Sequence, residues 1–141
     1  MILVDTSVWI QHLRTGEPAL VELLNGSQVL SHPYVLGELA LGRLSQREEI
    51  LGLLSGLPRS AVATHDEVLA FVETHDLPGT GIGYVDAHLL AATLLTPGGR
   101  LWTADSRLAA AAVRRRTGRR STGRPPAEVP SDGPADPILW G

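Results

Sequence analysis

Short apolar runs alternate with helical stripes along most of this 141-residue chain. Ile2 to Val4 is an unbroken apolar triplet that stops at Asp5, and Val8, Trp9, Ile10 and Leu13 then recur at the spacing of one helix face. Thr6 and Ser7 stand where helix caps are expected. Glu17-Pro18 suits the first turn of a second helix, striped by Leu20, Val21, Leu23 and Leu24 and stopped at Asn25-Gly26; Gln28 to Ser31 then reads as a strand. Val35, Leu36, Leu39 and Ala40 predict a helix from Tyr34 to Gly42. Ser45, with Glu48 three residues on, resembles a capping box for another helix through Leu54. Ala61 to Ala63 is a short strand candidate, and a helix from His65 to about His75 carries Val68, Leu69 and Val72 on one side. Pro78-Gly79-Thr80-Gly81 breaks the chain before a helix over Tyr84 to Leu95. Pro97-Gly98-Gly99 then turns it into the strand Leu101-Trp102-Thr103, and Ser106 to Arg116 is a last helix, closed by Gly118.

Strands separated by helices imply an α/β fold, with a mainly parallel sheet and helices on both faces, because a parallel return needs a long crossover. Residues 1–120 are expected to form one domain. From Ser121 onward five prolines (Pro125, Pro126, Pro130, Pro134 and Pro137) precede the single apolar triplet Ile138-Leu139-Trp140, so 121–141 is expected to be a flexible tail with no packed element of its own.

Composition narrows the chemistry. The chain has no cysteine, which excludes disulfides, thiolate metal sites and cysteine nucleophiles and fits a reducing, cytoplasmic setting. No apolar run approaches the roughly 18 residues of a membrane span, and Met-Ile-Leu-Val-Asp has no basic leader character, so a soluble protein is expected. All 12 basic residues are arginine. The absence of lysine removes P-loop ATPases and Schiff-base enzymes. Arg114, Arg115, Arg116, Arg119, Arg120 and Arg124 crowd into one stretch, so the net charge of -3 conceals a distinctly acidic remainder.

Within that remainder, Asp5 and Asp105 stand just past the carboxyl ends of expected parallel strands, where open α/β sheets bind ligands. Glu38 and Asp86 lie on helices among apolar neighbours, and an acid drawn inward needs a partner. Two carboxylates about 4 Å apart repel by roughly 4 kcal/mol at an effective dielectric near 20. With no lysine and most arginines distant in sequence, a divalent cation is the economical counter-charge. Oxygen-only ligands favour Mg²⁺, with Mn²⁺ as a substitute, over zinc. Such an ion can activate water against a phosphodiester.

Ile2-Leu3-Val4-Asp5-Thr6-Ser7-Val8-Trp9-Ile10, Gly37-Glu38-Leu39, Tyr84-Val85-Asp86-Ala87-His88 and Leu101-Trp102-Thr103-Ala104-Asp105-Ser106-Arg107-Leu108 resemble, in order and spacing, the acidic motifs of PIN-domain ribonucleases, most closely the VapC toxins of bacterial toxin-antitoxin systems. The resemblance covers residues 1 to about 116. It implies a three-layer α/β/α domain with four or five strands, and an endoribonuclease in which Asp5, Glu38, Asp86 and Asp105 bind Mg²⁺. It further implies that Thr6 or Ser7, and Thr103, orient those acids through their hydroxyls, and that the partners are an RNA substrate, a VapB-like antitoxin and a second copy of the chain. The chain departs from the family pattern where a final strand is usual, running instead into arginines and prolines.

Several features admit two readings. Arg114, Arg115, Arg116, Arg119 and Arg120 suit RNA phosphates, yet cations at a helix C-terminus are favourable in themselves. Leu20, Leu23, Leu24, Leu36, Leu41 and Leu44 could receive an antitoxin helix, form a homodimer contact or simply fill the core. His12, His32, His65, His75 and His88 are scattered, without ligand spacing, and read as structural; Trp9 and Trp102 read as core. Two rival functions remain. One is a PIN-like module that binds RNA or protein without catalysis. The other is an α/β phosphatase, which would require an aspartate where Ser7 stands and a lysine this chain lacks.

Overall fold

A strand whose residues are apolar in succession can be stable only if both of its faces are covered. The computed structural model, which describes residues 1–117 and 138–140, places β1 (Ile2–Val4) in that position, with Leu3 and Val4 fully buried. β1 pairs in parallel with β2 (Val29–Leu30) on one side and with β3 (Arg100–Thr103) on the other. Leu3 is in register with Leu30 and with Leu101, and Val4 with Trp102.

The first crossover consists of α1 (Thr6–Thr15) and α2 (Pro18–Asn25), the second of α3 (Pro33–Leu41), α4 (Arg47–Ser55), α5 (His65–Thr74) and α6 (Tyr84–Leu95); α7 (Ser106–Thr117) follows β3. The chain leaves β1 toward β2 and leaves β3 the opposite way. The crevice beyond the carboxyl ends of β1 and β3 is therefore a topological switch point. Trp9 and Trp102, each 2% exposed, are core residues as expected, and they pack in one cluster with Leu20, Leu89, Leu90, Leu101 and Leu108. Truncating any of these leucines to alanine should cost about 2–5 kcal/mol.

The parallel part of the sheet has three strands, fewer than the four or five expected. Ala61 to Ala63 is not a strand: among the described residues the ladder contact nearby is an isolated bridge from Ser31 to Arg59, and the Ala61 N–H donates to Thr96 Oγ1 at 2.9 Å. A side-chain acceptor has taken the place of a neighbouring strand. The segment expected to be a tail does supply an element, β4 (Ile138–Trp140), which runs antiparallel along β3 with Trp102 opposite Leu139. Its apolar triplet meets the otherwise open edge of β3; the rest of 118–141 lies outside the described residues.

Ser45 does not cap α4. Gln46 occupies the N-cap in the left-handed region (φ 55°), and the Arg47 guanidinium donates instead to the carbonyls of Ala40 and Gly42 at the end of α3. Other boundaries follow local chemistry. Thr64 and Glu67 form a reciprocal capping box for α5. Gly99 lies where a Cβ would come within 2.9 Å of the carbonyl oxygens of Thr93 and Thr96, so the tight turn that aims β3 requires glycine.

Candidate functional site

Asp5 ends β1 and is the N-cap of α1, yet its carboxylate makes no capping hydrogen bond. Ser7 Oγ donates to Asp5 Oδ2 at 2.6 Å and Thr103 Oγ1 donates to the same oxygen at 2.8 Å. Each hydroxyl in turn accepts a backbone N–H, Ser7 from Ala104 at 3.1 Å and Thr103 from Asp105 at 3.0 Å. With each hydroxyl already accepting an N–H, its proton goes to Asp5, whose oxygen is nearer than the other hydroxyl at 3.4 Å. The caps expected at Thr6 and Ser7 are thus corrected: Thr6 begins the helix, and its hydroxyl donates to Glu38 Oε1 at 2.9 Å.

Asp105 sits two residues beyond β3. Its Oδ1 caps α7 by accepting from the N–H groups of Arg107 (2.9 Å) and Leu108 (3.0 Å). Asp86, in the first turn of α6, accepts from the Gly83 N–H at 3.3 Å.

The inward placement expected of Glu38 does not hold. Val35 and Leu39 are the buried positions of α3, whereas Glu38 shares the exposed side with Tyr34, one turn earlier. Asp86 is half-buried and Asp105 exposed, so Asp5, 5% exposed, is the one enclosed acid of the four.

Charge ties the set together. The pKa of Asp86 is pushed up from its ordinary value chiefly by burial, then by the negative charges of Asp5, Asp105 and Glu38, against a lowering by the Gly83 N–H; no cation is among the influences on it. Among the described residues no group of three or more acids or histidines forms a ready-made ion cage. Asp86 is close enough to the other three to feel their charge, without the four being closed around one point. An all-carboxylate donor set, short of positive charge, fits a hard divalent cation.

Histidine and tyrosine build a second cluster against this one. His32 caps α3, its Nδ1 accepting from the Tyr34 N–H at 3.0 Å, and burial followed by the charge of His88 lowers its pKa to about 4. His88 is 1% exposed, and among the described residues neither ring nitrogen has a hydrogen-bond partner. Burial, then His65, lowers its pKa from the ordinary histidine value. Tyr34 and Tyr84 each meet it edge-to-face with centroids 4.6 Å apart, and Tyr84 Oη is 2.6 Å from His65 Nδ1. The sequence reading did not single out these tyrosines; their signal was position, one turn before Glu38 and two residues before Asp86.

Of the six surplus leucines, Leu20 is core, Leu23, Leu24 and Leu36 pack partly against it, and Leu41 is 90% exposed. Leu44 lines a groove of about 380 Å³ with Ile10, Leu13, Leu39 and Ile50, and Glu38 borders that groove. Arg119 and Arg120 lie outside the described residues, as do the side chains of Arg114, Arg115 and Arg116. No described helix is long and apolar enough to cross a membrane.

Residues 2–114 match the model of the PIN domain family. The chain is also 54% identical, over 111 residues, to Ribonuclease VapC32 of Mycobacterium tuberculosis strain CDC 1551 / Oshkosh and, to the same extent, to Ribonuclease VapC32 of strain ATCC 25618 / H37Rv; the alignment covers 79% of this chain and 90% of each relative.

Proposed function

The chain belongs to the PIN-domain family, and from that premise we propose that it is a metal-dependent endoribonuclease, a hydrolase of RNA phosphodiester bonds, acting as the toxin of a VapBC-type toxin-antitoxin pair. Family membership removes the phosphatase alternative. The observation that supports the reading is that the charges of Asp5, Asp105 and Glu38 all raise the pKa of Asp86, beside the switch-point crevice.

In this reading Asp5, Glu38, Asp86 and Asp105 hold Mg²⁺, or Mn²⁺ in its place. A bound ion supplies positive charge to the phosphoryl oxygens and acidifies the water that attacks phosphorus. The protein's own part is positional. Ser7 and Thr103 hold Asp5 by one oxygen, Thr6 steadies Glu38, and the N–H groups of Arg107 and Leu108 fix one oxygen of Asp105. Before any cation arrives, the N-terminal ends of α1, α6 and α7, each beginning at or beside one of these acids, offset part of the charge.

The groove beside Glu38 suits an apolar helix of a VapB-like antitoxin, which would block the site by occupying its margin. The remaining assignments belong to the same reading: a homodimer, a cytoplasmic location, a nuclease domain over 1–120 to which β4 returns, and RNA contacts by the arginines from Arg114 to Arg120. The test is incubation of total RNA with Mg²⁺ and either wild type or Asp5→Asn, with fragment ends mapped. Discrete metal-dependent cleavage by wild type alone is expected; equal cleavage by a folded Asp5→Asn protein would overturn the assignment. For the toxin role, expression should arrest growth and a small co-expressed partner should restore it.

A further inference from the structure

Tyr34 and Tyr84 are large rings left 37% and 46% exposed, on two different helices, yet both lean on one buried ring. Among the described residues His88 has no hydrogen-bond partner at either nitrogen, and what it gives the two tyrosines is the flat surface of its ring, a costly use of a polar side chain. His65 steadies Tyr84 from the other side through the 2.6 Å contact to its hydroxyl, and His32, which caps α3, lies 5.2 Å from the Tyr34 ring. Rings held this firmly while facing solvent are built to be touched. They also adjoin the acids: Tyr34 is one turn before Glu38 on the same side of α3, and Tyr84 shares the first turn of α6 with Asp86.

We propose that Tyr34 and Tyr84 form an aromatic rim at the mouth of the carboxylate site that receives an unstacked base of single-stranded RNA beside the bond to be cut. Every base has a π face, so such a rim selects for unpaired strands and loops, whose bases can splay outward, over duplex RNA. It also supplies attraction that an acidic crevice cannot offer a polyanion.

This inference rests on the reading of the chain as an RNA-cutting enzyme, and the test separates the two. A labelled single-stranded RNA of mixed sequence, and the same strand made abasic throughout, are titrated in Ca²⁺ against wild type, Tyr34→Ala, Tyr84→Ala, Tyr34→Phe and Tyr84→Phe; cleavage of the first strand in Mg²⁺ is followed in parallel. Wild type should prefer the base-bearing strand. Each alanine variant should lose roughly 5- to 150-fold on that strand, the equivalent of one stacked base, and little on the abasic one. The phenylalanine variants, which keep the ring, should retain the preference. Alanine variants that keep it, alanine variants that weaken equally on both strands, or phenylalanine variants as weak as alanine would each overturn the rim while leaving RNA cleavage standing. A wild type that neither binds nor cuts RNA would overturn both.

Discussion

The two acids at the strand ends and the two on helices are held very differently. Asp5 receives two hydroxyl hydrogen bonds from groups that each accept a backbone N–H, and Asp105 receives two backbone N–H bonds at the start of α7. Glu38 receives one, from Thr6, and Asp86 one, a longer contact at 3.3 Å. In the proposed metal site, half of the constellation would therefore be fixed by the scaffold before a cation bound, and half would have latitude to close upon it. Such a division reconciles a preorganised site with the absence of a finished cage among the described residues.

The largest test of that contrast is catalytic. Thr103→Val removes a hydroxyl that orients Asp5 and should lower cleavage by about 10- to 100-fold. Thr6→Val, which removes a hydroxyl from the exposed Glu38, should cost less than about 10-fold. Equal losses in a steady-state RNA cleavage assay would erase the distinction.

Metal binding gives the next largest effect. At about 100 times its dissociation constant, Mg²⁺ should stabilise the fold by about 2.7 kcal/mol, seen as a rise in melting temperature. Asp5→Asn should abolish the rise, and Glu38→Gln should leave part of it. An unchanged wild-type melt across millimolar Mg²⁺ would count against the fixed half as an ion site.

Without metal the two halves should respond in opposite directions, by smaller amounts. Asp105→Ala uncaps α7 and should destabilise by about 1 kcal/mol. Asp86→Asn relieves repulsion and burial of charge and should stabilise. The sign follows from the raised pKa of Asp86: the folded state binds the proton more tightly than the unfolded state. Its contribution to stability is therefore fully present below the ordinary aspartate value of 3.8 and is lost as pH rises through the higher folded value. The advantage of Asp86→Asn over wild type in melts with a chelator should appear across that rise and vanish in acid.

Much of this was legible in the sequence because its signals are local. Ile2 to Val4 ending on Asp5, and α6 running over Tyr84–Leu95, follow from apolar pattern and flanking breakers. What escaped depends on distant partners. Ala61 to Ala63 has strand-like composition but meets a threonine hydroxyl instead of a strand, and β4 is an apolar triplet whose pairing depends on the free edge of β3. Glu38 was placed inward because its neighbours are apolar; on a helix those neighbours point elsewhere. The tyrosine and histidine cluster draws His32, Tyr34, His65, Tyr84 and His88 from three helices and the residue ahead of α3, and no spacing along the chain announces it.

The hydrogen bond from Thr103 to Asp5 spans 98 positions. The acid on which hydrolysis would depend is thus made well before the hydroxyl that anchors it. On the reading proposed above, a growing chain would lack the anchored acid until synthesis has passed the third strand.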